Sequence, residues 1–268
     1  MITTIALDLD NTLLNSNKEI SATNERVLKQ LHKNGIRVVL CTGRPLPAIA
    51  HLVQQLDLKQ PNDYSITFNG GLVQNNASRE ILAQTTLTKD EVGVLYQDAT
   101  QRHYPLDVIG PNGVYSLVEL GKSTYEASMN KMLPFKNINF AELPADETFG
   151  KVVSSAEPQV VTATRAGLPA EIDQHFHIVP SREELLEFLP GGVNKAVGLK
   201  ELLGHFGEDL TNLMAFGDQE NDLEMLQAAE IGVAMGNAIP LIKQAANAET
   251  LDNNADGVAV YLQKYFKL

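Results

Sequence analysis

The sequence predicts an α/β protein: a doubly wound, parallel-sheet core interrupted by an inserted α+β domain. Three observations carry that expectation. Short apolar runs alternate with amphipathic helical stretches through the first third of the chain, the pattern of parallel strands joined by helices. The same alternation returns in the last third. Between them, strand-like pairs and helices follow one another without strict alternation, which is the α+β arrangement. The expected boundaries are residues 1–83 and 190–268 for the core and 84–189 for the insert, and 268 residues are ample for both.

Each element has a local reason. Residues 3–7 form an apolar run that gives out at Asp8, reading as a buried strand. Ser21 can cap a helix over 22–34, with Val27, Leu28 and Leu31 on one face and Gly35 as its stop. A second strand over 36–41 ends in Thr42-Gly43-Arg44. A helix over 46–56 follows, then a strand over 64–68 ending in Asn69-Gly70-Gly71. Residues 72–74 and 81–83 read as a hairpin around Asn75-Asn76. In the insert, Thr88-Lys89-Asp90-Glu91 matches a capping box and opens a helix to Arg102. Strands at 105–109 and 114–117 flank the turn Gly110-Pro111-Asn112-Gly113. A short helix at 124–132, a turn-rich stretch, a strand at 151–154, helices at 159–165 and 168–174, and strands at 177–179 and 185–189 complete it. The core resumes with a helix over 195–206, a strand over 212–217, a helix near 221–229, a strand over Ile231–Ala234 and a helix after Asn237. The last helix spans Gly257–Phe266.

Composition narrows the function classes. Hydrophobic content of 44% and charged content of 20% are those of a globular chain with a proper core. A net charge of −12 argues against nucleic acid or an anionic membrane surface as partner. No apolar stretch is long enough to span a bilayer, and the chain runs straight into a strand without a basic leader, so a cytoplasmic location is expected. The single cysteine, Cys41, fits a reducing compartment and reads as a buried, inert thiol. Of six scattered histidines only His175 and His177 are close, and they read as a solvated pair. The sequence sets no oligomeric state.

Four motifs carry chemistry. Asp8-Leu9-Asp10-Asn11-Thr12-Leu13 places two carboxylates at a strand end, where one can attack covalently and one can move protons. A polar strand-to-loop transition would use similar residues. Thr42-Gly43 can hold a phosphoryl oxygen at a helix N-terminus, although an ordinary helix cap looks alike. Lys195, at the start of a helix, would be a solvated lysine without context; beside four acids it can serve as a fixed cation. In Gly217-Asp218-Gln219-Glu220-Asn221-Asp222, the helix dipole accounts for acids in general. It does not account for the glycine, the asparagine and the strand-end placement together. Asp8, Asp10, Asp218 and Asp222 gathered at strand ends would repel one another unless a hard cation joined them.

In this order the four motifs resemble the haloacid dehalogenase superfamily of phosphatases, and residues 217–226 and 232–238 resemble its Cof-type branch, whose members carry a C2B α+β cap between the second and third motifs. The resemblance implies a Rossmann-like core and a Mg2+-dependent phosphohydrolase. Asp8 would attack phosphorus to form an aspartyl-phosphate, and Asp10 would protonate the leaving alkoxide and then activate water. Mg2+ would be held by the Asp8 carboxylate, the Asp10 backbone carbonyl and Asp218. Thr42, with Gly43, and Lys195 would bind the phosphoryl oxygens, Asn221 would orient phosphate or nucleophile, and Asp222 would stand behind Lys195. Arg44 and Asn69 are the core candidates for substrate contact; Tyr115 and Ser181-Arg182-Glu183 are candidates in the cap. Asn11 and Ala196 stand where the family usually has glycine, and Gly71 where it often has alanine; none removes a functional side chain. Residues 190–192 read as a hinge.

The expected substrate is a small phosphorylated metabolite of the sugar-phosphate class. Two rivals keep the core but change the outcome: a sugar phosphomutase, and a phospho-ligand sensor without turnover. Asp10 argues against the sensor, which has no use for a proton shuttle.

Overall fold

Strands that read as unbroken apolar runs are buried on both faces, and that demands helices on both sides of a parallel sheet. The computed structural model, which describes residues 1–110, 113–129 and 133–268, has this arrangement in the first of its two units, Met1–Gln84 with Asn194–Leu268. Its elements are β1 (Thr4–Leu7), α1 (Ala22–Lys33), β2 (Arg37–Cys41), α2 (Leu46–Gln55), β3 (Tyr64–Thr67), β4 (Leu72–Asn75) and β5 (Ile81–Gln84). The second unit, Thr85–Val193, contains α3 (Lys89–Arg102), β6 (Asp107–Gly110), β7 (Gly113–Leu117), α4 (Tyr125–Ser128), β8 (Phe135–Ile138), β9 (Lys151–Ser155), α5 (Pro158–Gly167), α6 (Ala170–His175), β10 (Phe176–Arg182) and β11 (Leu185–Pro190). The first unit then resumes with α7 (Lys195–His205), β12 (Leu213–Gly217), α8 (Leu223–Ala228), β13 (Ile231–Ala234), α9 (Pro240–Ala245), β14 (Ala248–Glu249) and α10 (Gly257–Phe266).

The first unit's sheet runs β14-β13-β12-β1-β2-β3-β4-β5. It is parallel from β14 to β3, and β4 and β5 add an antiparallel edge. β1 sits between β12 and β2, with Leu7 opposite both Phe216 and Leu40. Chain order reverses across β1, so this is the topological switch point, where open α/β sheets bind ligands beyond their strand ends. Asp8, Thr42 and Asp218 follow the paired residues on that edge. Helix α1 keeps the expected cap, Ser21 accepting from the Asn24 N–H, and Asn194 caps α7 by accepting from the Val197 N–H.

The second unit has a six-stranded sheet, β10-β11-β9-β6-β7-β8, antiparallel except for the β7–β8 pair. Thr88 and Glu91 form the anticipated capping box of α3. Tyr104, Val108, Phe149, Val152 and Phe188 are among the buried side chains of its apolar cluster.

Three expectations need correction. The turn-rich stretch after α4 contains a strand, β8, whose sequence Phe-Lys-Asn-Ile carries no apolar alternation because it lies at a sheet edge with its middle residues exposed. The helix expected over 124–132 is a single turn in the described residues, and 130–132 lie outside them, as do Pro111 and Asn112 of the expected hairpin turn. Residues 220–222 form a 3₁₀ turn before α8 rather than its first turn. Among the described residues no helix is long and apolar enough to cross a membrane.

Candidate active site

Two parallel strands, β1 and β12, end side by side, and the residues just beyond them define the site. Lys195 of α7 is fully buried and donates to Asp8 Oδ1 and Asp222 Oδ1, each at 2.6 Å. Asp222 reaches this position through the turn after β12: its Oδ2 accepts the backbone N–H groups of Asp218 at 2.8 Å and Gln219 at 3.1 Å. Gly217 is required for that approach, because a Cβ there would fall 2.4 Å from the Asp222 Cβ and 2.6 Å from its Oδ2. The glycine that marks the motif in the sequence is thus the space the Asp222 side chain fills.

Asp8, Asp218 and Asp222 bring carboxylate oxygens within 4.8 Å of one another. Three acids against one ammonium leave a charge deficit at low dielectric. Burial, then the charges of Asp222 and Asp218, raise the Asp8 carboxyl well above its usual range, against the pull of the Lys195 ammonium. Burial, then Asp222, push Asp218 up to about 7, partly offset by the Thr12 hydroxyl. Burial works against the Lys195 ammonium too, yet Asp222 and Asp8 outweigh it and raise its pKa.

A divalent cation fits the donors left over. Thr12 Oγ1 donates to Asp218 Oδ1 at 2.9 Å, and Asp218 Oδ2 is buried without a hydrogen-bond partner. An orphaned buried carboxylate oxygen is costly unless an ion meets it. Both Asp222 oxygens are already taken by Lys195 and the two backbone N–H groups. Asp8 and Asp218 are therefore the carboxylates of this trio suited to ligate a hard cation, with Asp222 holding the lysine and the loop.

The β2 and β3 ends supply the polar rim. Thr42 is buried and its hydroxyl accepts the Arg44 N–H at 3.2 Å. The Asn69 N–H donates to the Thr42 carbonyl at 3.0 Å, and Asn221 Nδ2 donates to Asn69 Oδ1 at 3.2 Å. Gly43 lies against the Asn69 amide. Phe68, Asn69 and Gly70 are consecutive left-handed residues with φ of 51°, 52° and 104°. Such backbone concentrates at functional sites, where the surrounding structure must over-determine it. Gly70 explains part of the constraint: a Cβ there would stand 2.0 Å from the Asn194 carbonyl oxygen, so the turn seats directly on the first turn of α7 that carries Lys195.

Asp10 is held by cations other than Lys195. Its carboxylate accepts a fork from Arg44, Nε to Oδ2 at 2.9 Å and Nη2 to Oδ1 at 2.6 Å, and a third bond from Lys18 at 3.0 Å. Burial works against the ionised form, but Arg44 and then Lys18 outweigh it and hold the Asp10 carboxyl below its usual range. Asn11 takes the left-handed backbone, φ 59°, that its amide side chain tolerates.

The structure thus gathers Asp8, Lys195, Asp218 and Asp222 around one point and links Thr42, Gly43, Asn69 and Asn221 beside them. Arg44 directs its fork to Asp10. Sequence reasoning passed over Thr12, although it is part of the D-x-D-x-T pattern, and Lys18, for which a single sequence offers no signal. In the second unit, Tyr115 packs within the apolar cluster with its hydroxyl on Glu147, and Ser181 Oγ is buried without a partner. Burial pushes the Cys41 thiol up to about 12, so it is inert at neutral pH.

A family model described as haloacid dehalogenase-like hydrolase matches residues 5–262. YxeH of Bacillus subtilis (strain 168) is 30% identical over 256 residues, covering 95% of this chain and 95% of that protein. The 5-amino-6-(5-phospho-D-ribitylamino)uracil phosphatase YitU of the same organism is 34% identical over 276 residues, covering 98% of this chain and 97% of its own. Among solved structures, a haloacid dehalogenase-like hydrolase from Bacteroides thetaiotaomicron superposes with a TM-score of 0.85 at 32% identity, over 99% of this chain and all of that one.

Proposed function

The chain belongs to the haloacid dehalogenase-like hydrolase family and is a phosphatase, and from that premise we propose a Mg2+-dependent phosphohydrolase that works through an aspartyl-phosphate on Asp8. The observation that carries this reading is the orphaned Asp218 Oδ2 beside the lysine-bound Asp8. Mg2+ would be held by the carboxylates of Asp8 and Asp218 and the backbone carbonyl of Asp10, and would supply charge neutralisation for the transferring group.

This chain's residues would act in two displacements. A carboxylate oxygen of Asp8 bonds to phosphorus as the ester P–O bond breaks, and the leaving alkoxide takes its proton from Asp10. Asp10, now ionised, takes a proton from water, whose oxygen bonds to phosphorus as the acyl-phosphate P–O bond breaks. Inorganic phosphate leaves and Asp8 is regenerated. Lys195 and Thr42 would hold phosphoryl oxygens with Gly43, and Asn221 and Asn69 would orient the group for in-line attack. Asp222 would keep Lys195 charged and in place. The pairing of Asp10 with Arg44 and Lys18 suits the second displacement, in which Asp10 must be ionised; the first requires that one of these bonds give way to a proton.

The substrate class in this reading is a small phosphate monoester on a sugar or polyol. Support comes from YitU, whose name gives it a phosphate carried on a ribityl chain. The unit Thr85–Val193 would be the cap that selects the leaving group. The test is a phosphate-release panel across sugar, polyol, nucleotide and vitamin-B6 phosphates, followed by rapid quenching of the Asp10→Asn variant with borohydride. Reduction of an acyl-phosphate should convert residue 8 to homoserine. Phosphate release with Asp8 never modified would remove the covalent step, and transfer between substrates without release would favour a phosphomutase.

A further inference from the structure

Lys18 belongs to none of the motifs, yet its side chain ends on the site. The loop after β1 folds back on itself through bridges between Asp10 and Leu14 and between Leu14 and Ile20. Its tip is a tight turn in which the Asn15 side-chain carbonyl accepts the N–H groups of Asn17 at 2.9 Å and Glu19 at 3.1 Å. Lys18 takes a left-handed backbone, φ 62°, and donates its N–H to the Asn15 carbonyl at 2.9 Å. Lysine rarely adopts that conformation, so the turn imposes it. The loop is also tied to a distant part of the same unit: Asn253 Nδ2 donates to the Leu14 carbonyl at 2.8 Å, and the Ser16 N–H donates to Asn254 Oδ1 at 3.0 Å. The backbone under Lys18 is thereby held, and its ammonium reaches Asp10 Oδ1 at 3.0 Å.

We propose that Lys18 is a positioning residue for Asp10, the second arm of a clamp whose first arm is Arg44. The Arg44 fork fixes the plane of the carboxylate from the loop after β2. Lys18 adds an anchor on Oδ1 from the loop after β1. Two anchors on separate loops restrain the rotation that a lone fork permits, and they leave Asp10 pre-aimed at the reacting group. General acid–base catalysis depends on such aim, since the proton must pass over a hydrogen-bond distance. The Lys18 side chain is 55% exposed, so its contribution is modest and the clamp can reopen. This inference rests on the role proposed for Asp10 above.

The test compares steady-state kinetics of Lys18→Met and Lys18→Arg, using the monoester that the wild-type protein turns over best. Lys18 is exposed and outside the core, so the folded protein is retained in both. Lys18→Met should lower kcat about fivefold, the size of an exposed ion pair, with KM nearly unchanged. Lys18→Arg should restore most of the rate. Placed on Asp10→Asn, Lys18→Met should cost nothing more, because its partner is already disabled. A raised KM with kcat intact would make Lys18 a substrate contact instead, and an undiminished rate or a full additional loss on Asp10→Asn would overturn the proposal. If Asp10→Asn itself keeps the wild-type rate, the reading of Asp10 falls; if Asp10→Asn is crippled while Lys18→Met is normal, the clamp alone falls.

Discussion

In the second unit Lys151 and Glu187, with 2% and 4% of their surfaces exposed, form an ion pair at 2.8 Å. In the first, Lys195 is completely buried and serves Asp8 and Asp222 together, while Asp218 brings a third carboxylate within 4.8 Å of theirs. A matched buried pair is close to neutral for stability and can be replaced by apolar side chains. A buried group that is short of positive charge is unfavourable by itself, and such groups cluster at functional sites. The contrast is between a lysine–glutamate contact and a lysine shared by two carboxylates with a third beside them.

Substitutions should break the two regions differently. The largest effect is expected for Lys195→Met, which leaves Asp8 and Asp222 without their cation: turnover should fall by at least about a hundredfold and stability by about 3–5 kcal/mol. Adding Asp222→Leu should not restore activity, because Asp8 and Asp218 still face each other; recovery in a phosphate-release assay would contradict the charge-deficit account. In the second unit Lys151→Met should also cost about 3–5 kcal/mol in chemical denaturation, by taking this cation from the buried Glu187, while the folded variant keeps its turnover. Unchanged stability in Lys151→Met, or lost turnover in its folded form, would contradict that separation of roles.

The smallest effect concerns Asp107. Burial raises its carboxyl above the usual range, the Ser116 and Ser123 hydroxyls offsetting part of this. The folded chain therefore binds the Asp107 proton more tightly than the unfolded chain does. That contribution is complete below the unfolded pKa near 3.8 and is lost as pH rises through the higher folded value. Thermal melts from acid to neutral pH should show Asp107→Asn gaining on the wild type as pH rises; parallel curves would contradict it.

Much of this architecture is legible in the sequence for physical reasons. Strands β1 and β12 are apolar runs that stop at acid, and α3 carries both halves of its capping box. The cap of α1 is likewise a chemical necessity of a helix start, whose first N–H groups lack partners within the helix. Strand β8 and the two-residue β14 are edge elements whose pairing comes from neighbours, and local pattern does not encode that. At the site, the convergence of Asp8, Lys195, Asp218 and Asp222 was readable because four motifs sit at strand and helix ends. The Arg44 fork on Asp10 and the reach of Lys18 were not. They depend on side-chain direction and on a folded-back loop, which spacing alone leaves open.

The most direct measurement is phosphate release by protein stripped of divalent ions, with Mg2+ titrated back. An excess of buried acid predicts no turnover in chelator, saturable recovery as Mg2+ is added, and loss of that recovery in Asp218→Asn. Undiminished turnover in excess chelator, or Mg2+ recovery unchanged in Asp218→Asn, would contradict it.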